Sequence, residues 1–337
     1  MRNRVNWGSI FVFYCFCLLV KVDASSRHQL PHDPCDLSIQ RRPELLRPDQ
    51  MTVLINGYSE SRIPLLLSIA TSYSASPVVA AVLVLWGNLH TPPRLLSELS
   101  RNLSAASLGA AQISLVPQSS SSLNARFLPR PLTIETRAVL ICDDDVEVDA
   151  KSLEFAFRVW GSNPDRIVGM FGRSHDMDLA RKEWIYTVHP DRYSIVLTKF
   201  MLLKTQYLFS YSCGRGARMR RVVDEMGNCE DILMNFLVAD EINTGPILVG
   251  AERVRDYGDA RNDGGSGENR DEVRDAGLSR RGEHRKRRGH CIREFHKVLG
   301  RMPLRYSYGK MVNSVGEQGL CNKGGKLVFC DQFLGRR

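Results

Sequence analysis

The sequence contains no Cys-x-x-Cys pair, which weakens both a zinc-site and a thioredoxin-like reading. It holds no apolar run of the roughly 20 residues a membrane-spanning helix needs. It shows no internal repeat, so a solenoid or propeller is set aside. Lys and Arg total 46 against 37 for Asp and Glu, yet no basic stripe interleaved with aromatics accompanies that excess. Nucleic acid is therefore not the expected partner. The excess is also local: Arg280 to Arg337 carries 15 basic and 4 acidic residues, which leaves the rest of the chain at −2. Positive charge so placed suits a phosphate-bearing ligand or an anionic surface.

What is present is ordinary for a folded protein. The 337 residues are 43% apolar and 25% charged, which argues against disorder or a collagen-like chain. At about 150 residues per domain this length allows one large domain or two.

Residues 1–24 combine Arg2 and Arg4, an apolar run from Trp7 to Val20, and the small residues Val22 and Ala24. That is the three-part pattern of a secretory signal. Two readings stay open: a cleaved signal peptide, or a retained short anchor of type II topology, with Arg2 and Arg4 holding its N-terminus in the cytosol. Golgi enzymes often keep such an anchor, so the expected location is the secretory pathway, as a Golgi-lumenal or Golgi-membrane protein. Beyond Cys15 and Cys17, seven cysteines remain, so in an oxidising lumen at least one thiol stays unpaired. Among them the pairing of Cys35, Cys213, Cys321 and Cys330 is not readable. Asn102-Leu-Ser is an N-glycosylation acceptor triplet.

After a polar lead over 25–50, apolar runs and helical periodicities alternate. Strands are expected at Met51–Ile55, Val78–Trp86, Ala111–Val116 and Arg137–Cys142, and helices at Ser61–Tyr73 and Thr91–Leu103. The alternation predicts a parallel sheet with crossover helices, an α/β fold. Asp149–Trp160 follows as an amphipathic helix, Asn228–Ala239 as a buried one, and the Gly-rich, charged Arg253–Arg288 segment is expected to be a mobile loop. The chain thus divides into an alternating half over 51–150, a less regular half over 151–312 that contains the loop 253–288, and a tail over 313–337.

The fourth strand ends in Asp143, Asp144 and Asp145. Carboxylates at the carboxyl end of a parallel strand sit where open α/β sheets place ligands. Hard oxygen donors there suit Mg²⁺ or Mn²⁺, which keep several waters and also bind substrate phosphates. The alternative is a turn or capping cluster, with Asp149 as the true N-cap.

With these blocks in order, the chain resembles glycosyltransferase family 64, the exostosin-like transferases, over roughly Met51 to Tyr306. The blocks are VLINGY (53–58), VLWGN (84–88), SLNARFLP (122–129), AVLICDDDVEV (138–148), LEFAFRVW (153–160), NPDRIVG (163–169), NCEDILMNF (228–236) and RGHCIREFHKVLGRMPLRYS (288–307). NGYSES in place of the family's more usual sequence gives it the look of a plant branch. The resemblance implies a GT-A type fold, a Rossmann-like nucleotide half followed by a mixed acceptor half. It also implies Mn²⁺ as cofactor, a nucleotide-diphosphate sugar as donor, and a glycan or glycosylated sphingolipid as acceptor.

Residue by residue, the resemblance implies that Asp145 coordinates Mn²⁺ while Asp143 and Asp144 contact ribose and sugar. Asn56, Asn88, Asn124 and Arg126 fall at nucleotide-contacting positions, although Asn124 and Arg126 also read as loop-stabilising side chains. Asp231, with Glu230 beside it, matches the carboxylate at the anomeric carbon; two acids favouring a helix N-terminus is the other reading. Arg288 matches a diphosphate-binding arginine, or belongs to the solvated run from His284. Cys229 and Cys291 match a family disulfide. Glu60 departs from the pattern where many relatives carry a basic residue, and Arg62 is the substitute on offer. The long charged loop and the GLCNKGGKLVFC segment (319–330) are additions that bear on acceptor choice. The expected function is a retaining Mn²⁺-dependent glycosyltransferase; a donor hydrolase or a catalytically silent lectin or scaffold of the same fold are its rivals.

Overall fold

The computed structural model describes residues 33–214, 216–258, 283–313 and 320–329. Residues 1–24, where a signal or anchor is expected, and most of the charged segment 253–288 lie outside the described residues, as do the side chain of Cys321 and all of Cys330. Among the described residues no helix is long and apolar enough to cross a membrane.

The first half runs β1 (Arg47–Gly57), α1 (Ile63–Ser74), β2 (Val79–Trp86), α2 (Pro93–Ala105), β3 (Gln112–Pro117) and β4 (Thr136–Asp143). Pro64 and Pro93 sit in the first turns of α1 and α2, where a missing N–H costs nothing. All four strands are parallel, in the order β4-β1-β2-β3. The chain winds outward from β1 through β2 to β3 and then returns to set β4 on the other side of β1. The carboxyl ends of β1 and β4 therefore form a topological switch point, the crevice in which such sheets bind ligands. Asn56 and Asp143 face each other there in register.

The second half supplies β5 (Val146–Val148), α3 (Ala150–Gly161), β6 (Val168–Gly169), β7 (Gly172–Asp178), β8 (Glu183–Thr187), β9 (Arg192–Tyr193), β10 (Ile195–Val196), β11 (Phe200–Lys204), α4 (Gln206–Cys213), α5 (Ala217–Met226), α6 (Glu230–Ile242), β12 (Ile247–Leu248), β13 (Val254–Asp256), α7 (His284–Leu299) and β14 (Ser307–Tyr308). It extends the main sheet past β4 with β11, which runs antiparallel, and then β6 and β12. Asp149 caps α3, its carboxylate accepting the Ser152 N–H at 3.0 Å. Residues 320–323 and 326–329 pair as a two-stranded hairpin.

Alternate residues of the central strands feed two cores, one per sheet face. Val53, Ile55, Leu140 and Cys142 pack with α1, α2 and α3, whereas Leu54, Val139 and Ile141 pack with the later helices. Burial on both faces explains why these strands read as continuous apolar runs instead of alternating ones.

Two expectations need correction. The segment 253–288 is not a loop at either end: β13 pairs antiparallel with β5, and His284–Arg288 opens α7. The ladder bonds and the buried face of α7 hold these ends despite their polar composition. The lead is likewise no free linker from Pro34 onward, because Cys35 is bonded to Cys213 and Arg41 donates to the Pro131 carbonyl at 3.0 Å and to Glu135 at 2.8 Å.

Candidate active site

Asp143 ends β4, and Asp144 and Asp145 form the turn that leads into β5. The β13 segment supports this turn from behind, with the Tyr257 N–H donating to the Asp145 carbonyl at 2.9 Å. A Cβ at position 258 would run into the Asp145 carboxylate, so Gly258 lets the backbone close over that acid.

Three arginines meet the carboxylates. Arg62, at the start of α1, places one terminal nitrogen 3.0 Å from Asp144 and 2.8 Å from Asp145. Buried Arg126 bridges Asp143 at 3.1 Å and Glu230 at 3.2 Å. Arg288 donates to Asp231 at 2.5 Å and to the Asn228 side-chain oxygen at 3.0 Å. Its guanidinium stacks over the Tyr186 ring, 4.5 Å from the centroid. Thr198 donates to Glu230 at 3.2 Å, and Lys199 pairs with Asp256 at 2.5 Å beside Asp145.

The sequence separations are large, but the causes of convergence are local. Cys229, in the left-handed region at φ 82°, caps α6 and turns Glu230 and Asp231 inward. The Cys229–Cys291 disulfide then ties this helix start to α7, one turn beyond Arg288. Asn235 anchors α6 to β10, accepting the Val196 N–H at 3.0 Å and donating to its carbonyl at 2.9 Å. The basic run divides: Arg285, Lys286 and Arg287 are exposed, while Arg288 is buried.

Electrostatically the three acids at the end of β4 are crowded. Burial pushes the Asp144 carboxyl up to about 7, with neighbouring Asp145 and Asp143 adding to it and Arg62 opposing. Burial, then Asp143, raises Asp145 to about 6. Burial also raises Glu230. Six buried side-chain polar atoms among the described residues lack a hydrogen-bond partner, and four belong here: Nε of Arg62, Arg126 and Arg288, and Oδ1 of Asp145. Such atoms are costly to leave unmade, and their concentration at one crevice marks where ligand atoms belong.

No three His, Cys, Asp or Glu side chains among the described residues form a ready-made metal cage. The trio nonetheless fits Mn²⁺ of the kind that takes one or two carboxylates plus phosphate oxygens, because Asp145 Oδ1 is a buried oxygen with nothing bonded to it.

The remaining expected residues are less central. Asn56 lies at the β1 end of the crevice, half-buried. Asn88 accepts the His90 N–H at 3.0 Å just beyond β2. Asn124 accepts from the Tyr211 hydroxyl at 2.5 Å and donates to the Arg220 carbonyl and to Asp224, the bonds of a loop-stabilising side chain. Asn102 is exposed on α2. Lys199, Asp256, Thr198, Asn228 and Tyr186 escape sequence reasoning. Asp256 sits in the charged segment read as a loop; Tyr186, Thr198 and Lys199 lie in a less regular stretch, and Asn228, although it opens the expected helix Asn228–Ala239, has no spacing that joins it to Arg288.

Comparison with known proteins decides the family. The description "Glycosyl transferase family 64 domain" matches residues 51–316. The chain belongs to glycosyltransferase family 64. It is 67% identical over 304 residues to "Glycosyltransferase family protein 64 C3" of Arabidopsis thaliana, covering 89% of this chain and 91% of that protein. It is 30% identical over 275 residues to human "Exostosin-like 2" (77% and 76% covered), and 27% identical over 315 residues to Arabidopsis thaliana "Glycosylinositol phosphorylceramide mannosyl transferase 1" (90% and 88%). Among solved structures, GalNAc-T7 with UDP, GalNAc and Mn²⁺ aligns over 57% of this chain and 40% of its own at 10% identity and TM-score 0.41, a likeness too distant to carry an argument. This family 64 member is a glycosyltransferase, and its parallel α/β half followed by a mixed half agrees with the architecture expected of it.

Proposed function

We propose that the protein transfers a hexose or N-acetylhexosamine from a nucleotide-diphosphate sugar to a glycan or glycosylated sphingolipid, with retention of configuration and with Mn²⁺ as cofactor. The observation that supports this reading is the continuous charged network at the β1/β4 switch point, in which Asp143, Arg126, Glu230, Asp231 and Arg288 follow one another within contact distance. The sphingolipid alternative draws on the named activity of the mannosyl transferase relative.

Asp145, with Asp144 beside it, would hold the metal through the unbonded Oδ1. Bound there, Mn²⁺ supplies Lewis-acid charge against the departing diphosphate. The chain's own residues do the rest. Arg288 carries a fixed planar cation whose Nε is unpaired, suited to a leaving-group oxygen. Burial opposes its charge, but Asp231, Tyr186 and Glu230 together outweigh that burial and keep it protonated. Asp231 in turn stabilises and positions the anomeric centre, where positive charge develops. Arg126 holds Asp143 and Glu230 apart from each other and fixes the floor between metal side and sugar side. The two disulfides suit an oxidising lumen, and with the N-terminal segment they favour residence in the Golgi lumen or on its membrane.

The test is product analysis with a panel of nucleotide sugars against heparan-type oligosaccharides and glycosylated inositol sphingolipids, with Asp145→Ala alongside. Transfer by the wild type that the variant lacks is expected. Sugar release without transfer would indicate a hydrolase, and full activity of Asp145→Ala would overturn the site assignment.

A further inference from the structure

We propose that Arg62 is an internal counter-ion of the metal-free site: it neutralises Asp144 and Asp145 until a divalent cation takes its place, and then turns to the donor diphosphate. The inference rests on the Mn²⁺ site proposed above.

Three observations carry it. First, a single Arg62 nitrogen sits within 3.0 Å of one acid and 2.8 Å of the other, so one cationic group already occupies the position between the two carboxylates. Second, Arg62 is the only one of the three site arginines with appreciable exposure: its side chain is 26% exposed, against 5% for Arg126 and 6% for Arg288. Arg126 and Arg288 are enclosed by protein, whereas Arg62 has solvent into which its long side chain can swing. Third, the unbonded Asp145 Oδ1 and the unbonded Arg62 Nε flank this pair, so neither partner is satisfied by the other.

The neighbouring cation behaves differently. Lys199 is fastened to Asp256 at 2.5 Å and so keeps a partner of its own whatever Asp145 binds. Among the described residues Arg62 pairs with no acid other than Asp144 and Asp145, and on losing both it becomes a free monovalent cation at the mouth of the crevice. A diphosphate is the anion that would claim it, since a guanidinium fork matches phosphate oxygens. Metal and nucleotide are thereby coupled through one side chain. Metal on the unbonded Asp145 Oδ1 meets the Arg62 charge already held on Oδ2 of the same carboxylate and so binds weakly alone, whereas metal arriving with a diphosphate gives Arg62 another partner.

The test reads Mn²⁺ binding directly, from loss of the free-ion EPR signal on titrating purified protein with Mn²⁺ and no nucleotide. Wild type is compared with Arg62→Ala, with the bulkier neutral variant Arg62→Met in case the first fails to fold, and with each combined with Asp145→Ala. Removing Arg62 is expected to tighten Mn²⁺ binding by between about fivefold and a hundredfold, the range of ordinary coupling between sites, and the gain is expected to vanish with Asp145→Ala. Unchanged or weaker binding in both single variants, while the wild type binds Mn²⁺, would overturn the counter-ion inference and leave the metal site standing. Absence of binding in wild type and variants alike would overturn both.

Discussion

Arg62 and Arg288 each pair an arginine with a carboxylate, but the Arg62 side chain is 26% exposed and its acids crowd one another, while the Arg288–Asp231 pair is sealed from solvent on both sides. The difference separates two kinds of functional charge. A partly exposed pair holds little stability, about 0–1 kcal/mol, and is free to exchange partners. A buried pair holds its geometry because breaking it strands a charge, at about 3–5 kcal/mol. The Asp144–Asp145 side is therefore free to exchange partners, while the α6–α7 side is held fixed.

The sharpest way to break this comparison is to remove one carboxylate from each side. Asp145→Ala is expected to lower turnover by about 10³-fold or more, while its thermal midpoint stays at or above that of the wild type, because a repelling charge leaves a crowded cluster. Arg288→Ala is expected to lose turnover and also about 3–5 kcal/mol in chemical denaturation. Replacing both partners, Arg288→Met with Asp231→Leu, should restore most of that stability and none of the activity. Equal stability loss on the two sides would erase the distinction.

The disulfides sharpen it further. Opening Cys229–Cys291, which closes a 62-residue separation, should cost about 4 kcal/mol on loop-closure grounds. It should also lower kcat, since it frees α7 from the start of α6. Opening Cys35–Cys213 should cost a comparable amount of stability and leave kcat unchanged, because that bridge ties the lead to the end of α4 and does not join the two helices that carry Asp231 and Arg288. Activity assays on the two alanine pairs after refolding check this.

A pH series tests the crowding itself. The Asp144 carboxyl titrates near 7 in the folded protein against 3.8 as its ordinary value. Between those values the folded state keeps a proton that the unfolded chain has lost, so this group makes the metal-free protein less stable as pH rises from about 4 to about 7. The stability difference between wild type and Asp144→Asn should therefore grow in the variant's favour across that window, by up to about 4 kcal/mol, and flatten above it. A difference that does not change with pH would contradict the placement of Asp144. The smallest effect is expected at Asn102, exposed on α2: Asn102→Gln should remove any attached glycan and leave turnover unchanged, as mass and rate measurements would show.

Much of this was legible in the sequence because its signals are local. Apolar runs buried on both faces marked β1 to β4 within a few residues, and the acids at the end of β4 followed from the strand's position. The order β4-β1-β2-β3 was not legible, because which side of β1 receives β4 depends on a crossover without a helix, through the five-residue 3-10 turn Leu123–Phe127. Nor was the split of the basic run, since helix phase, set by Cys291 and Ile292 on the buried face, decides that Arg288 turns inward while its three neighbours do not. Arg62 was visible only as a substitute for a missing basic residue, and its bridge across Asp144 and Asp145 required the turn of α1 onto β4. Lys199 and Asp256 lie 57 residues apart in irregular sequence, and no spacing rule joins them.

The account turns on whether the crevice between β1 and β4 holds a nucleotide diphosphate with a metal on Asp145. Calorimetry of the folded protein with uridine, guanosine and other nucleoside diphosphates, with Mn²⁺ and then with EDTA, tests it most directly. One nucleotide should bind in a Mn²⁺-dependent manner that EDTA and Asp145→Ala both abolish. Absence of binding by every nucleotide, from protein shown to be folded, would contradict the account and leave a silent scaffold of the same fold in its place.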